Sequence, residues 1–220
     1  EIKVDIEGIA ISAKNNDINK LINTLRKTYP DAKCSLDFNT PFEMMVAVML
    51  SAQCTDERVN KVTAEFFPKY NTPKAFADMP LEDIENLIHS CGFYKNKAKN
   101  LKLASQKILT EFNGEVPQTM EELMSIPGVG RKSANVIMLE AFNNPQGIAV
   151  DTHAKRISNR IGFSNAKEPQ KIEQDLLKLF PKKYYYDANH ILIWHGRNTC
   201  KSQKPNCENC CIKHLCKSCK

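Results

Sequence analysis

Six of the nine cysteines in this 220-residue chain fall between Cys200 and Cys219. Four of them, Cys200, Cys207, Cys210 and Cys216, follow the spacing C-x6-C-x2-C-x5-C. Four thiolates from one short, loop-rich segment suit a tetrahedral zinc or a four-iron cubane. A zinc ribbon usually pairs two C-x2-C knuckles across a longer gap, and only one knuckle is present. Spacing therefore ranks the cubane above zinc while leaving zinc open. Cys211 and Cys219 lie outside the pattern without an assigned role, and the choice of Cys210 over Cys211 rests on spacing alone. A disulfide framework would be spread through a small secreted chain. Crowding at one end points instead to metal or iron–sulfur ligation in a reducing compartment.

The surroundings of this segment are basic. Arg197, Lys201, Lys204, Lys213, Lys217 and Lys220 face only Glu208 between residues 195 and 220, within a net charge of +6 for the chain. The loop "KSQKPN" would present Lys201 and Lys204 on a backbone pinned by the metal, where phosphate contact is the functional reading. A solvated tail that balances a negative thiolate cluster is the plainer one.

Helical periodicity recurs along the chain and strand alternation hardly occurs, which makes the fold all-α. Asp17 is positioned to cap a helix through Ile18, Leu21, Ile22 and Leu25, after an opening dozen residues that read as a loosely held extension. Thr40, Pro41 and Glu43 form a capping box with proline at the first helical position. Thr55 caps the next helix, which stops at Pro68; Gly92 ends another; and Thr119 with Glu122 opens the short "MEELMSI". Further helices are expected over "KSANVIMLEAF", "THAKRISNRIGF", "EPQKIEQDLLKLF" and "DANHILIWHGR". No apolar run approaches the ~20 residues that span a bilayer. The first residues also lack the apolar stretch of a secretory signal.

Between two of these helices lies "IPGVGRK". Gly128 and Gly130 permit positive φ and leave room for a close approach, and backbone amides ahead of the following helix make a phosphate site. A tight helix–helix turn is the ordinary alternative. Lys132 then sits where the helix macrodipole disfavours a cation, beside Arg131, which suits an amine that must act as a nucleophile toward carbon. Phosphate contact explains Lys132 equally well on this segment alone. Asp151, in "IAVDTHAKR", follows a short apolar run; it fits a plain N-cap, and a carboxylate held there can also stabilise a cation or move a proton.

Together, "IPGVGRKSANVIM", "AVDTHAKR" and the cysteine spacing resemble the endonuclease III family of DNA glycosylases, in the helix-hairpin-helix superfamily. "PFEMMVAVMLSAQCTDERVNK" and "NGEVPQTMEELMSIPGVGRKSANV" fit the same pattern, so the resemblance runs from about residue 17 to 217. It implies two helical domains with DNA between them. One is a six-helix barrel over 34–145 that carries the hairpin. The other, 1–33 with 146–220, holds a [4Fe–4S] cluster on Cys200, Cys207, Cys210 and Cys216.

By the same resemblance Lys132 is the nucleophile, Asp151 the catalytic carboxylate, and Gln53 the side chain that fills the gap left in the duplex. Gly128, Val129, Gly130 and Arg131 contact the DNA backbone, as do Lys201 and Lys204. Asp56 and His153 match polar positions on the damaged-base side. Phe93 falls where relatives often carry a leucine wedge; an aromatic can also unstack bases, and a buried aromatic after a helix stop is its ordinary alternative.

The implied enzyme is a bifunctional DNA N-glycosylase and abasic-site lyase of base excision repair, removing oxidised pyrimidines of the thymine glycol type. Its partner is duplex DNA with damaged pyrimidines or abasic sites. It acts as a monomer without a membrane, in a prokaryotic cytoplasm or nucleoid, or in a nucleus or organelle. Adenine-specific relatives lack a lysine at the position of Lys132 and carry a further C-terminal domain, which disfavours that rival. A noncatalytic DNA-binding module would not need Lys132, Asp151 and Gln53 together. An electron-transfer role leaves most of the chain unexplained.

Overall fold

A computed structural model of the chain describes the backbone of residues 6–219 and the side chains from Asp17 to Cys219. Among the described residues the regular structure is entirely helical. The chain divides into two compact units, residues 34–146 and residues 1–33 with 147–220.

Seven α-helices build the contiguous unit: α2 (Pro41–Ser51), α3 (Asp56–Phe66), α4 (Pro73–Asp78), α5 (Leu81–Ile88), α6 (Tyr94–Glu111), α7 (Met120–Ser125) and α8 (Arg131–Phe142). Four of them start on a threonine. Thr40, Thr55, Thr72 and Thr119 each accept the backbone N–H three residues on, which satisfies an otherwise orphaned donor and is worth about 1 kcal/mol per cap. The expected box at Thr40 closes one residue early: the Glu43 carboxylate accepts from the N–H of Asn39 at 2.6 Å and from Asn71 at 3.0 Å.

The core gathers α2, whose residues from Phe42 to Leu50 are all buried, with Val59, Phe66, Phe76, Ile84, Leu101, Ile108 and Ile137. Helix α2 packs on α8, and α6 lies against α4 and α5. Two lysines of α6 turn inward. Lys102 donates to the carbonyls of Ala77 and Met79 at 2.8 and 2.6 Å, and Lys97, 7% exposed, donates to those of Leu50 and Cys91. Both amines thus satisfy carbonyls that helix ends leave open.

The second unit joins α1 (Ile6–Thr28) to α9 (Thr152–Ile161), α10 (Pro169–Leu179) and α11 (Tyr185–Asn198), followed by the cysteine segment. Helix α1 packs against α10 and α11, and α9 against both of those. Its core includes Leu21, Ile22, Leu25, Ile157, Leu176, Phe180 and Leu192. Arg26 clamps Asp187 with a two-pronged bond, and the Tyr184 hydroxyl donates to Asn19.

The expectation of a loose extension followed by a helix capped at Asp17 is corrected here. Helix α1 begins at Ile6 and runs straight through Asp17, so that carboxylate is an interior helical residue rather than a cap. The part of the expectation that falls on residues 1–5 lies outside the described residues. No described helix is long and apolar enough to cross a membrane.

Candidate functional site

In the contiguous unit, the turn between α7 and α8 is pressed against the core. Gly128 has φ +82°, and a Cβ there would meet Met49 Cε at 2.8 Å and Asn100 Cβ at 2.9 Å, so both conformation and space demand glycine. Val129 is buried and its N–H returns to the Ile126 carbonyl at 3.0 Å. Gly130 differs from expectation. Its φ is −90°, and a Cβ on it would meet no atom within 4 Å. What it supplies is an N-cap with no side chain over the leading amides of α8, an opening suited to an anion. Lys132 follows as the second residue of α8 and is exposed.

Two other segments of this unit present side chains on strained backbone. Gln53, after α2, has φ +53° and is exposed. Phe93, just before α6, has φ +47° and ψ +27° and is 68% exposed. The buried-aromatic alternative for Phe93 is therefore excluded. Left-handed backbone at a non-glycine residue costs about 1–3 kcal/mol and persists only where the surroundings fix it. Here Lys97 supplies part of that fixing: one buried amine, whose burial lowers its pKa, ties Leu50, three residues before Gln53, to Cys91, two before Phe93. Asp56 opens α3 immediately beyond the Thr55 cap.

In the discontinuous unit, Asp151 is the N-cap of α9, and its Oδ1 accepts from the Ala154 N–H at 2.7 Å. The buried run Ile148–Val150 leads into it. Asn189 of α11 fixes that run: its Oδ1 accepts from Ala149 N at 2.7 Å, and its Nδ2 donates to the Gly147 carbonyl at 3.0 Å. Sequence reasoning missed Asn189, which sits in an apolar helix pattern with no local signal of its partner forty residues away.

His153 is the second residue of α9. Arg156 donates to its Nδ1 at 3.2 Å, and burial lowers its pKa against the pull of Asp151, with Arg156 and Arg197 adding to the lowering. The ring is thereby favoured neutral.

The four spaced cysteines line one cavity of about 140 Å³, together with Arg160, His195 and Ile212. Cys210 lines it and Cys211 does not, while Cys219 lines it as a fifth thiol. Arg160 donates to the Cys200 sulfur at 3.4 Å and to the carbonyls of Lys201 and Ser202 at 2.7 and 2.9 Å. Buried His195 is held near pKa 4 by desolvation. Its Nδ1 meets the Tyr29 hydroxyl at 3.0 Å and its Nε2 meets the Cys210 sulfur at 3.7 Å, so a neutral ring can donate toward the sulfur while Tyr29 donates to Nδ1. Among the described residues, no three His, Cys, Asp or Glu side chains converge closely enough to hold a single ion. The sulfurs surround a volume, and a cubane is larger than one zinc at its ~2.3 Å ligand distance. Lys201 and Lys204 are exposed on the loop between Cys200 and Cys207.

This all-helical frame and its glycine turn define the class. Residues 46–182 match the HhH-GPD superfamily of base excision DNA repair proteins. The chain is 49% identical over 208 residues to endonuclease III of Synechocystis sp., covering 94% of this chain and 95% of that protein. Against endonuclease III of Escherichia coli the identity is 43% over 197 residues, covering 90% and 93%. A solved structure of a trapped endonuclease III–DNA covalent intermediate superposes with a TM-score of 0.88 at 44% identity, covering 93% of this chain and 96% of that one. The chain belongs to the endonuclease III family, whose members are DNA glycosylase/abasic-site lyases of base excision repair.

Proposed function

We propose that the chain removes oxidised pyrimidines of the thymine glycol type from duplex DNA and cuts the resulting abasic strand, with Lys132 as the covalent nucleophile. The carrying observation is Lys132 itself, an exposed amine at the second position of α8, directly behind the open turn at Gly130. Support comes from the similarity to the trapped covalent endonuclease III–DNA intermediate.

The chemistry needs one amine and one carboxylate. The damaged base is flipped out of the stack. The Lys132 amine attacks C1′ as the base departs with its electrons, and Asp151 stabilises cationic character on the sugar and assists proton transfer. The sugar ring then opens as the C1′–O4′ bond breaks and O4′ takes a proton, giving an imine that acidifies the neighbouring C2′–H; loss of that proton expels the 3′ phosphate by β-elimination. Gln53 occupies the space vacated in the duplex and Phe93 wedges between bases. Gly128, Gly130 and Arg131 offer backbone amides and charge to phosphate, with Val129 holding the turn between them through its own N–H bond to Ile126, and Lys201 and Lys204 offer charge from the cysteine loop. Asp56 and His153 contact the extruded base. Lysine and aspartate both come from one chain, so the reading calls for a monomer.

The donor set fits a [4Fe–4S] cluster: the four spaced cysteines line one cavity of about 140 Å³, with Arg160 directed at one sulfur and His195 at another. Cys200, Cys207, Cys210 and Cys216 would hold it. When bound it supplies a rigid anchor for the loop bearing Lys201 and Lys204, and no step of base excision passes through it.

Borohydride trapping tests the proposal. A duplex with thymine glycol or an abasic site should yield a protein–DNA adduct, and Lys132→Gln should abolish it while keeping DNA affinity near the parent's. An adduct that still forms at the parental rate in Lys132→Gln identifies another amine as nucleophile and leaves Lys132 a phosphate contact.

A further inference from the structure

Cys219 lines the cysteine cavity together with Cys200, Cys207, Cys210 and Cys216. A [4Fe–4S] cluster takes four thiolates, so one sulfur there is surplus. Cys216 and Cys219 make a second C-x2-C pair, which the four-cysteine spacing passes over. Only five residues separate it from the pair Cys207 and Cys210, too short a gap for the two knuckles of a zinc ribbon.

The two pairs are built alike. The Cys210 N–H returns to the Cys207 carbonyl at 3.3 Å, and the Cys219 N–H returns to the Cys216 carbonyl at 3.2 Å. A return over three residues sets the first and fourth side chains over one another. Cys216 and Cys219 therefore face the same way from the 3-10 turn Lys217–Cys219, toward the cavity that both line. That turn is held on the end of α9. The Arg160 carbonyl accepts from the Ser218 hydroxyl at 2.8 Å and from the Cys216 sulfur at 3.4 Å. Gly162 leaves room for Lys217, whose side chain would lie 3.2 Å from a Cβ at 162. Cys216 is 7% exposed, and Cys219 is half-buried against the same core.

We propose that Cys219 is a reserve ligand, which takes the place of Cys216 and lets the segment keep its cluster when that residue is lost. This role rests on the [4Fe–4S] reading above and extends it from four sulfurs to five. No electrons move in the exchange. The Cys216 sulfur leaves iron and takes up a proton; the Cys219 sulfur gives one to solvent and binds. The Ser218 bond to Arg160 involves neither sulfur, so the turn stays seated whichever of the two is engaged. Cys210 has no such substitute, because its own partner across the turn, Cys207, is already a ligand. The loop bearing Lys201 and Lys204 thus keeps its anchor through the loss of Cys216.

Alanine variants of the full chain test this role, since alanine offers iron no ligand atom. Cys216→Ala, purified without oxygen, should keep most of the parent's iron, sulfide and broad visible absorption. Cys219→Ala should match the parent, and the double variant Cys216→Ala/Cys219→Ala should lose all three. Brief alkylation of the folded holoprotein, read by mass spectrometry, supplies a second measurement. Cys219 should be labelled in the parent and protected in Cys216→Ala. Cys211, half-buried but outside the cavity, should be labelled alike in both. Loss of the cluster from Cys216→Ala overturns the reserve role whether or not the variant still melts cooperatively, because a working substitute preserves the fold as well. So does a double variant that keeps its cluster, or a Cys219 labelled equally in the parent and in Cys216→Ala. A parent without iron and sulfide refutes the [4Fe–4S] reading itself, and the reserve role falls with it.

Discussion

The Nζ of Lys97 donates to the carbonyl oxygen of Cys91 at 2.9 Å from a site that is 7% exposed. The same amine holds the Leu50 carbonyl at the end of α2. Lys97→Met keeps the side chain's bulk and removes both bonds. Two buried acceptors then lose their donor, at about 1–3 kcal/mol each. The melting temperature should drop, and residual lesion incision measured well below that melting point should drop further than affinity for intact duplex. Equal retention of stability and incision would show that neither segment depends on this amine.

Phe93 separates folding from function. It is 68% exposed, so Phe93→Ala should leave stability within about 0.5 kcal/mol of the parent. Phe93→Gly should raise stability by relieving a left-handed conformation that costs about 1 kcal/mol or more. Both variants should process damaged duplex poorly and bind intact duplex as the parent does. A marked fall in melting temperature with either would assign Phe93 to the fold.

The two turn glycines should fail in different ways. Gly128→Ala meets Met49 and Asn100 at under 3 Å on a backbone with φ +82°, so destabilisation of about 2 kcal/mol or more is expected. Gly130→Ala has open space and ordinary φ, and its folding free energy should hardly change. Any loss with Gly130→Ala should show in DNA affinity, measured by titration against salt. If the two variants unfold at the same temperature, this division is wrong.

The cysteine cavity makes a prediction about neighbours in sequence. Cys210→Ser should yield protein without the visible absorption band of an iron–sulfur cluster, whereas Cys211→Ser should keep the band and the iron and sulfide content, because of these two neighbours Cys210 alone lines the cavity. Stoichiometric zinc with no iron, in protein prepared without oxygen, would sink the cluster assignment altogether.

How much of this was legible beforehand depended on whether the signal was local. Thr40, Thr55, Thr119 and Asp151 announce their helices because a cap acts within three residues of itself. Helix α6 left no such mark. It starts on left-handed Phe93 with no side-chain cap, its lysines at 97 and 102 turn inward onto carbonyls, and Leu103 and Leu109 face outward. The six-residue α4 was missed as well, although Thr72 and Pro73 mark its start. At the candidate site, the motif residues stood out from spacing and resemblance. Asn189 behind Asp151, Arg160 and His195 at the sulfurs, and Lys97 beneath Gln53 and Phe93 act across long sequence separations that no periodicity records.

The unit built from both ends of the described chain has a consequence during synthesis. Helix α1 leaves the ribosome early, with Ile18, Leu21, Ile22 and Leu25 on its apolar face, but its partners Asp187 and His195 lie 161 and 166 residues downstream of Arg26 and Tyr29. At roughly 5–20 residues per second, that face waits on the order of ten to thirty seconds for its cover. The intervening residues 34–146 form their own core from contiguous chain and can finish folding while α1 is still waiting. Nascent chains stalled before residue 185 should therefore recruit holdase chaperones through α1, and release them once α11 has emerged.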